Sequence, residues 1–232
     1  MNYKIAVILF IGTLLVAGCK PSADTAKDPN KDDYSYAIGL TIGDDMKKKE
    51  LDLNPDKVAK GLIDAFNGKS KLSDEETKEL LQAFQEQMLE ENRKKQEVMG
   101  KKNKEEGDLF LAENKTKKDI VPLPSGLQYR IINKGKGSVS PKAADTVSVH
   151  YSGRTIDGKE FDSSYKRGEP VQFPVNGVIP GWTEILQIMK PGDKWEVFMP
   201  SELGYGQRGA GQDIGPNAVL IFEIELISII NK

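Results

Sequence analysis

Two periodicities divide this chain. From residue 33 to 118 large apolar residues recur at intervals of three or four, the spacing of a helix face. From residue 119 they alternate with polar ones, and glycine and proline punctuate the runs. In the first region Tyr34, Ala37, Ile38, Ile42 and Met46 share one helical face. Asn54-Pro55-Asp56 starts a second helix: an N-cap asparagine, a proline where no N–H is needed, and an acid in the first turn. Val58, Ala59, Leu62, Ile63 and Phe66 form its apolar face, and Gly68 ends it. Two helices within residues 33–72 cannot bury a core of their own, because chains below about 40 residues rarely do. This lobe needs a partner, either the next helix or a second copy of the chain.

Residues 73–118 read as one long helix. Ser73-Asp-Glu-Glu76 fits a capping box, and no proline follows until Pro122. Asp74, Glu75, Glu76 and Glu79 crowd the start and Lys115, Lys117 and Lys118 the end, as the helix dipole prefers. Leu80, Leu81, Phe84, Met88 and Leu89 make an apolar stripe that then stops. At ~1.5 Å per residue the helix is roughly 60 Å long. Its first third belongs with the helical lobe, its middle is solvated on all sides, and Phe110 and Leu111 dock elsewhere. That pattern describes a stalk between two lobes. Gly100 and Gly107 weaken it by ~1 kcal/mol each relative to alanine and read as bending points.

Residues 119–232 read as a β-rich domain. Strands are predicted at 127–133, 146–154, 160–163, 171–173, 194–199 and 218–229. Val147, Val149 and Tyr151 fall on one face, Ser148, His150 and Ser152 on the other. In the last strand Leu220, Phe222, Ile224 and Leu226 face in while Glu223 and Glu225 face water. A single short helix at 181–189 interrupts them, entered through Pro180 and burying Ile185, Leu186, Ile188 and Met189. The predicted class is α+β: an antiparallel sheet wrapped on that helix, preceded by an all-α lobe and a long connecting helix. Trp182 in the helix's first turn is either a core residue or the floor of an apolar pocket.

Composition narrows the chemistry. The chain has 232 residues, 38% hydrophobic and 29% charged, which fits a compact part plus a highly solvated one. The net charge of −2 offers nothing to nucleic acid. One cysteine excludes internal disulfides and a cysteine-based zinc site; one histidine, His150, disfavours histidine metal sites and most triads. Activity resting on a metal, a cofactor or a nucleophile is therefore not expected. Gly204-Tyr-Gly206-Gln-Arg-Gly209 matches Gly-x-Gly-x-x-Gly, but the Ala-Gly-Gln-Asp-Ile-Gly-Pro that follows cannot form the helix a dinucleotide site requires.

The amino terminus has its own pattern. A lysine precedes an apolar run from Ile5 to Ala17, too short for the ~20 residues that span a bilayer. Residues 1–18 read as an export signal. Val-Ala-Gly-Cys19 resembles the bacterial lipobox, which implies cleavage before Cys19 and its lipidation. Lipid on Cys19 attaches a protein to a membrane without spanning it. Lys20 after the cysteine implies outer-membrane sorting in a Gram-negative cell, at the periplasmic face or the surface. Residues 19–32, without a large apolar side chain, read as a disordered tether.

Several ordered motifs resemble one family. Val149-His-Tyr-Ser-Gly153, Gly158-Lys-Glu-Phe-Asp-Ser-Ser164, Asn176-Gly-Val-Ile-Pro-Gly-Trp182, Leu203-Gly-Tyr-Gly206 and Leu220-Ile-Phe-Glu-Ile-Glu-Leu226 look like FKBP-type peptidyl-prolyl isomerases. Tyr36-Ala-Ile-Gly39, Lys60-Gly-Leu-Ile-Asp-Ala65, Phe110-Leu-Ala-Glu-Asn114 and Ser125-Gly-Leu-Gln-Tyr129 look like the two-domain macrophage infectivity potentiator (Mip) type. The resemblance implies a proline pocket of Tyr151, Phe161, Asp162, Phe173, Val178, Ile179, Trp182, Tyr205 and Phe222, with Ile214 on a substrate flap. Ala210 and Asp213 stand where the best-known single-domain members carry a histidine and a first isoleucine. Implied partners are proline-containing folding polypeptides, a second copy through residues 33–89, and macrolide inhibitors. A holdase chaperone gripping chains in a dimer cleft is the competing reading.

Overall fold

The computed structural model describes residues 30–230. The signal, most of the tether and Cys19 lie outside the described residues. The chain divides into two units between Ser73 and Asp74.

The first unit holds α1 (Lys31–Lys48) and α2 (Pro55–Phe66). Helix α1 begins inside the stretch read as tether. Asn30 caps it, its Oδ1 accepting from the backbone N–H of Asp32 and Asp33 at 2.8 and 3.1 Å, while Asp33 Oδ2 accepts from Asn30 N–H at 3.0 Å. That reciprocal box is local chemistry the compositional reading passed over. Helix α2 starts as expected, Asn54 Oδ1 accepting from Lys57 N–H at 3.1 Å. No residue of either helix is buried; Tyr36 is 71% exposed and Phe66 86%.

The second unit opens with α3 (Asp74–Asn114), 41 residues long. Residues 91–99 are all exposed, as a solvated middle requires. From Met99 onward the helix packs on the sheet domain. Gly100 and Gly107, read as bending points, are buried contact points within an unbroken helix. A methyl group at Gly100 would lie 3.0 Å from Pro216 Cβ, and one at Gly107 2.7 Å from Val219 Cγ2. Asn103 Nδ2 donates to the Pro216 carbonyl at 2.8 Å, and Asn217 Nδ2 donates to the Gly100 carbonyl at 3.1 Å. Phe110 meets Phe198 at 5.9 Å between ring centres. Gln128 bridges the helix end, donating to the Leu111 carbonyl at 2.9 Å and accepting from Asn114 at 3.0 Å.

The sheet contains β1 (Val121–Pro122), β2 (Gln128–Asn133), β3 (Thr146–Thr155), β4 (Glu160–Ser163), β5 (Val171–Pro174), β6 (Lys194–Met199) and β7 (Leu220–Ile230). Every pairing is antiparallel, in the order β1-β2-β6-β7-β3-β4, with β5 also on β3. Two α-helices interrupt its described strands, the one-turn α4 (Ser164–Arg167), unforeseen, and α5 (Pro180–Leu186), beside three short 3-10 turns. Helix α5 lays Trp182, Ile185 and Leu186 on one sheet face, joined by Met189. Ile188, expected in this apolar set, is 41% exposed because the helix ends two residues before it. The opposite face is not left to water. Phe198 and Ile221 are 6% and 3% exposed, and both border the end of α3.

Candidate active site

A cleft of 310 Å³ opens on the α5 side of the sheet. Strand β3 supplies Tyr151, β4 Phe161 and Asp162, β5 Phe173, and β7 Phe222. The turn into α5 supplies Gly177, Val178 and Ile179, and its first turn Trp182. Tyr205 closes the rim from the glycine-rich loop, 40% exposed. Every pocket residue expected from the sequence lines this cleft. Ile214 does not. It is 7% exposed within the core and pairs with Ala210 as a β-bridge, so it braces the loop from beneath.

Aromatic edges hold the floor. Trp182 meets Tyr151, Phe173 and Phe222 at ring-centre distances of 5.2, 5.7 and 5.4 Å, each close to perpendicular. Such T-shaped pairs contribute ~0.5–1.5 kcal/mol each beyond their buried area. Trp182 Nε1–H has no acceptor among the described residues, so ring packing alone orients the indole. Phe161 packs on Phe222 at 5.6 Å, and both crowd Gly153, where a methyl group would lie 2.6–2.7 Å from their ring atoms.

One charged group sits in this apolar wall. The Tyr151 hydroxyl donates to Asp162, and Arg167 on α4 donates to Asp162 through Nη1 and to the Tyr151 oxygen through Nη2 at 2.9 Å. Burial pushes Asp162 up, but the Tyr151 and Arg167 hydrogen bonds and the Arg167 charge outweigh it and leave its pKa below the ordinary value. Burial, then the bond to Asp162, raises the Tyr151 phenol. Neutral tyrosine and ionised aspartate are thus the stable pair across the physiological range. The Ile179 N–H makes no hydrogen bond among the described residues and is a free donor at the cleft edge.

A binding cleft walled by rings, with a single locked carboxylate, suits a neutral cyclic side chain more than an ion. The comparisons decide which family built it. A model for the FKBP-type peptidyl-prolyl cis-trans isomerase matches residues 137–227, and one for the domain amino-terminal to it matches residues 31–131. The chain is 43% identical over 230 residues to "Outer membrane protein MIP" of Legionella longbeachae, covering 99% of this chain and 98% of that one. It is 39% identical over 230 residues to "Peptidyl-prolyl cis-trans isomerase Mip" of Coxiella burnetii, covering 99% and 100%. The crystal structure of FkpA from Escherichia coli superposes with a TM-score of 0.67 at 40% identity, covering 86% of this chain and 97% of that one. The chain belongs to the FKBP-type peptidyl-prolyl cis-trans isomerases.

It is therefore an isomerase with a helical amino-terminal region, as its motifs implied. Sequence reasoning missed Arg167 in this FKBP-type cleft. Arg167 lies five residues beyond Asp162, and only the unforeseen turn α4 folds it back. His150 faces away from the cleft, stacked on Tyr165 at 4.7 Å, its Nδ1 3.0 Å from Ser164 Oγ. Ser164 Oγ also accepts from Tyr151 N–H at 2.7 Å, so the pair steadies the strand that carries the cleft tyrosine.

Proposed function

We propose that this isomerase binds X-Pro segments of folding exported proteins in the Trp182 cleft and there lowers the barrier to rotation. The observation that carries the reading is the aromatic floor of Trp182 with Tyr151, Phe173 and Phe222 at its edges. An X-Pro bond rotates over a barrier of ~18–20 kcal/mol set by amide resonance. The twisted transition state loses that resonance and part of the amide dipole. An apolar, water-poor cleft therefore favours it relative to the planar ground state. In this reading Trp182 holds the pyrrolidine ring. The Ile179 N–H and the Tyr205 hydroxyl donate to peptide carbonyls on either side. Asp162, kept ionised by Tyr151 and Arg167, fixes the tyrosine and presents its remaining acceptor capacity near the twisting amide. Macrolide inhibitors, which present a proline-like ring, occupy the same cleft.

Proline-limited refolding tests this assignment. The intact chain accelerates the slow phase; Asp162→Ala and Trp182→Phe lose about tenfold or more, ~1.4 kcal/mol of transition-state stabilisation or greater. Unchanged acceleration in both variants refutes the cleft as the site.

The remaining parts fit a dimeric envelope protein. We place the second copy on residues 33–89, most of whose large apolar side chains are exposed and none of them buried, and a lipid on Cys19 as the attachment to the membrane. A relative named as an outer membrane protein supports that location. The same exposed helices favour a second reading, a holdase that grips unfolded chains. Aggregation suppression that survives Trp182→Phe and disappears on deletion of residues 33–89 would assign that role to the lobe.

A further inference from the structure

A second cleft, of 420 Å³, lies behind the sheet. Adjacent residues of β7 point to opposite faces: Phe222 lines the proline cleft and Ile221 lines this one. Its floor is apolar, built from Phe110 of α3, Phe198 of β6 and Ile221. Four cations surround that floor. Arg130 comes from β2 and Arg154 from β3; Lys117 and Lys118 come from the segment that leaves α3. Only two acids oppose them, Glu196 and Asp119, so the cleft is net positive in a chain whose net charge is −2.

The acids do not use up the donors. Glu196 is held by both arginines, from Arg154 Nη2 at 2.6 Å and Arg130 Nε at 2.8 Å. A guanidinium has five N–H donors, and neither arginine has another side-chain partner among the described residues. Lys118 has no ion-pair partner among the described residues. Lys117 donates to Asn114 Oδ1 at 3.1 Å and sits 5.9 Å from the centre of the Phe110 ring. Glu196 thus holds one guanidinium on each of its oxygens, beside an apolar floor, with the remaining N–H groups of both uncommitted. Planar paired donors match a carboxylate better than they match a point charge, and the volume is that of a small-ligand site. Simple neutralisation of Glu196 would need one arginine, not two and a lysine pair.

We propose that this rear cleft binds a small organic carboxylate with an apolar body. That chemistry has two sources, the carboxyl terminus of a polypeptide ending in an apolar residue and a free amphiphile such as a fatty acid. The proposal is independent of the proline-cleft assignment, since no residue is shared between the two.

Amide chemical-shift titration of the purified chain tests it. The probes are N-acetyl-phenylalanine for the polypeptide source, decanoate for the free amphiphile, and N-acetyl-phenylalaninamide as the uncharged control. At least one acid shifts Arg154, Phe198 and Ile221 with a Kd of about 1 mM or tighter, and the amide binds at least about fivefold more weakly. Whichever acid binds names the source. Lys118→Gln combined with Arg130→Gln weakens the acid about tenfold while circular dichroism and isomerase activity stay unchanged. Equal binding of acid and amide, shifts confined to the Trp182 cleft, or no shift with either acid overturns the proposal.

Discussion

At the residue scale, one carboxylate inside an aromatic wall is the feature most open to test. Asp162 has a folded-state pKa lowered by Tyr151 and Arg167 against the opposing effect of burial. The sign of its linkage follows. A depressed carboxylate contributes stability that is complete above its unfolded pKa, near ~3.9, and lost as pH falls through the lower folded value. The stability difference between the intact chain and Asp162→Asn is therefore constant from pH 8 to about pH 5 and shrinks below about pH 4. Urea unfolding of both proteins across that range measures it. The side chain is 42% exposed, so water screens the pair and the difference is modest. A difference that grows toward acid would contradict the assigned cause. Every cleft-lining residue but Gly177 was legible from ordered motifs, because a motif fixes which face of which strand a side chain takes. Arg167 was not, because a one-turn helix of Ser-Tyr-Lys-Arg has no periodicity to read. Nor was the inward turn of Ile214, which depends on the Ala210 bridge across the loop.

At the element scale, β2 to β7 were legible to within two residues at either end, since alternation between Gly and Pro punctuation marks a half-buried sheet directly, whereas the two-residue β1 was too short to show any alternation. Helix α3 was legible in length and in the docking of Phe110, but not in its contacts from Gly100 to Gly107. The docking surface over that stretch is made of Gly100, Asn103 and Gly107, small and polar side chains that leave no apolar stripe. They let the helix backbone approach Pro216 and Val219 closely and exchange amide hydrogen bonds with that loop. Alanine at Gly107 sets two effects against each other. Helix propensity gains ~1 kcal/mol. Against that, the new methyl would lie 2.7 Å from Cγ2 of Val219, a branched side chain 5% exposed that has little room to turn, and such overpacking costs ~1–3 kcal/mol. Gly107→Ala is expected to be less stable by about 1 kcal/mol, and Gly107→Ala with Val219→Ala to be less destabilised than the sum of the singles. Thermal unfolding of the four proteins gives the coupling; simple additivity would show that the helix does not rest on Val219.

At the scale of the whole molecule, the first unit poses a problem that a single copy does not solve. Helices α1 and α2 bury none of their own residues. Leu62, Ile63 and Phe66 on one face of α2 are 53%, 57% and 86% exposed, and Leu80 and Leu81 of α3 are 57% and 62% exposed. Burial of such side chains contributes ~1.5–3 kcal/mol each, enough over several residues to hold a dimer. Light scattering of the chain without its lipid should give the mass of two copies. Serine at Leu62, Ile63 and Phe66 together should halve that mass. A single-copy mass for the parent chain would refute the interface. The proposed dimer and the cleft are separable with the same variant. The triple variant should retain activity on short proline peptides within about twofold, because nothing in the Trp182 cleft changes, equivalent to ~0.4 kcal/mol in the barrier. Refolding of a long client should slow, because two clefts on one particle can engage one chain and raise the effective concentration of its prolines. Equal loss on short and long substrates would mean instead that the lobe stabilises the cleft itself. Loss on neither would reduce the dimer to a means of burying apolar helices.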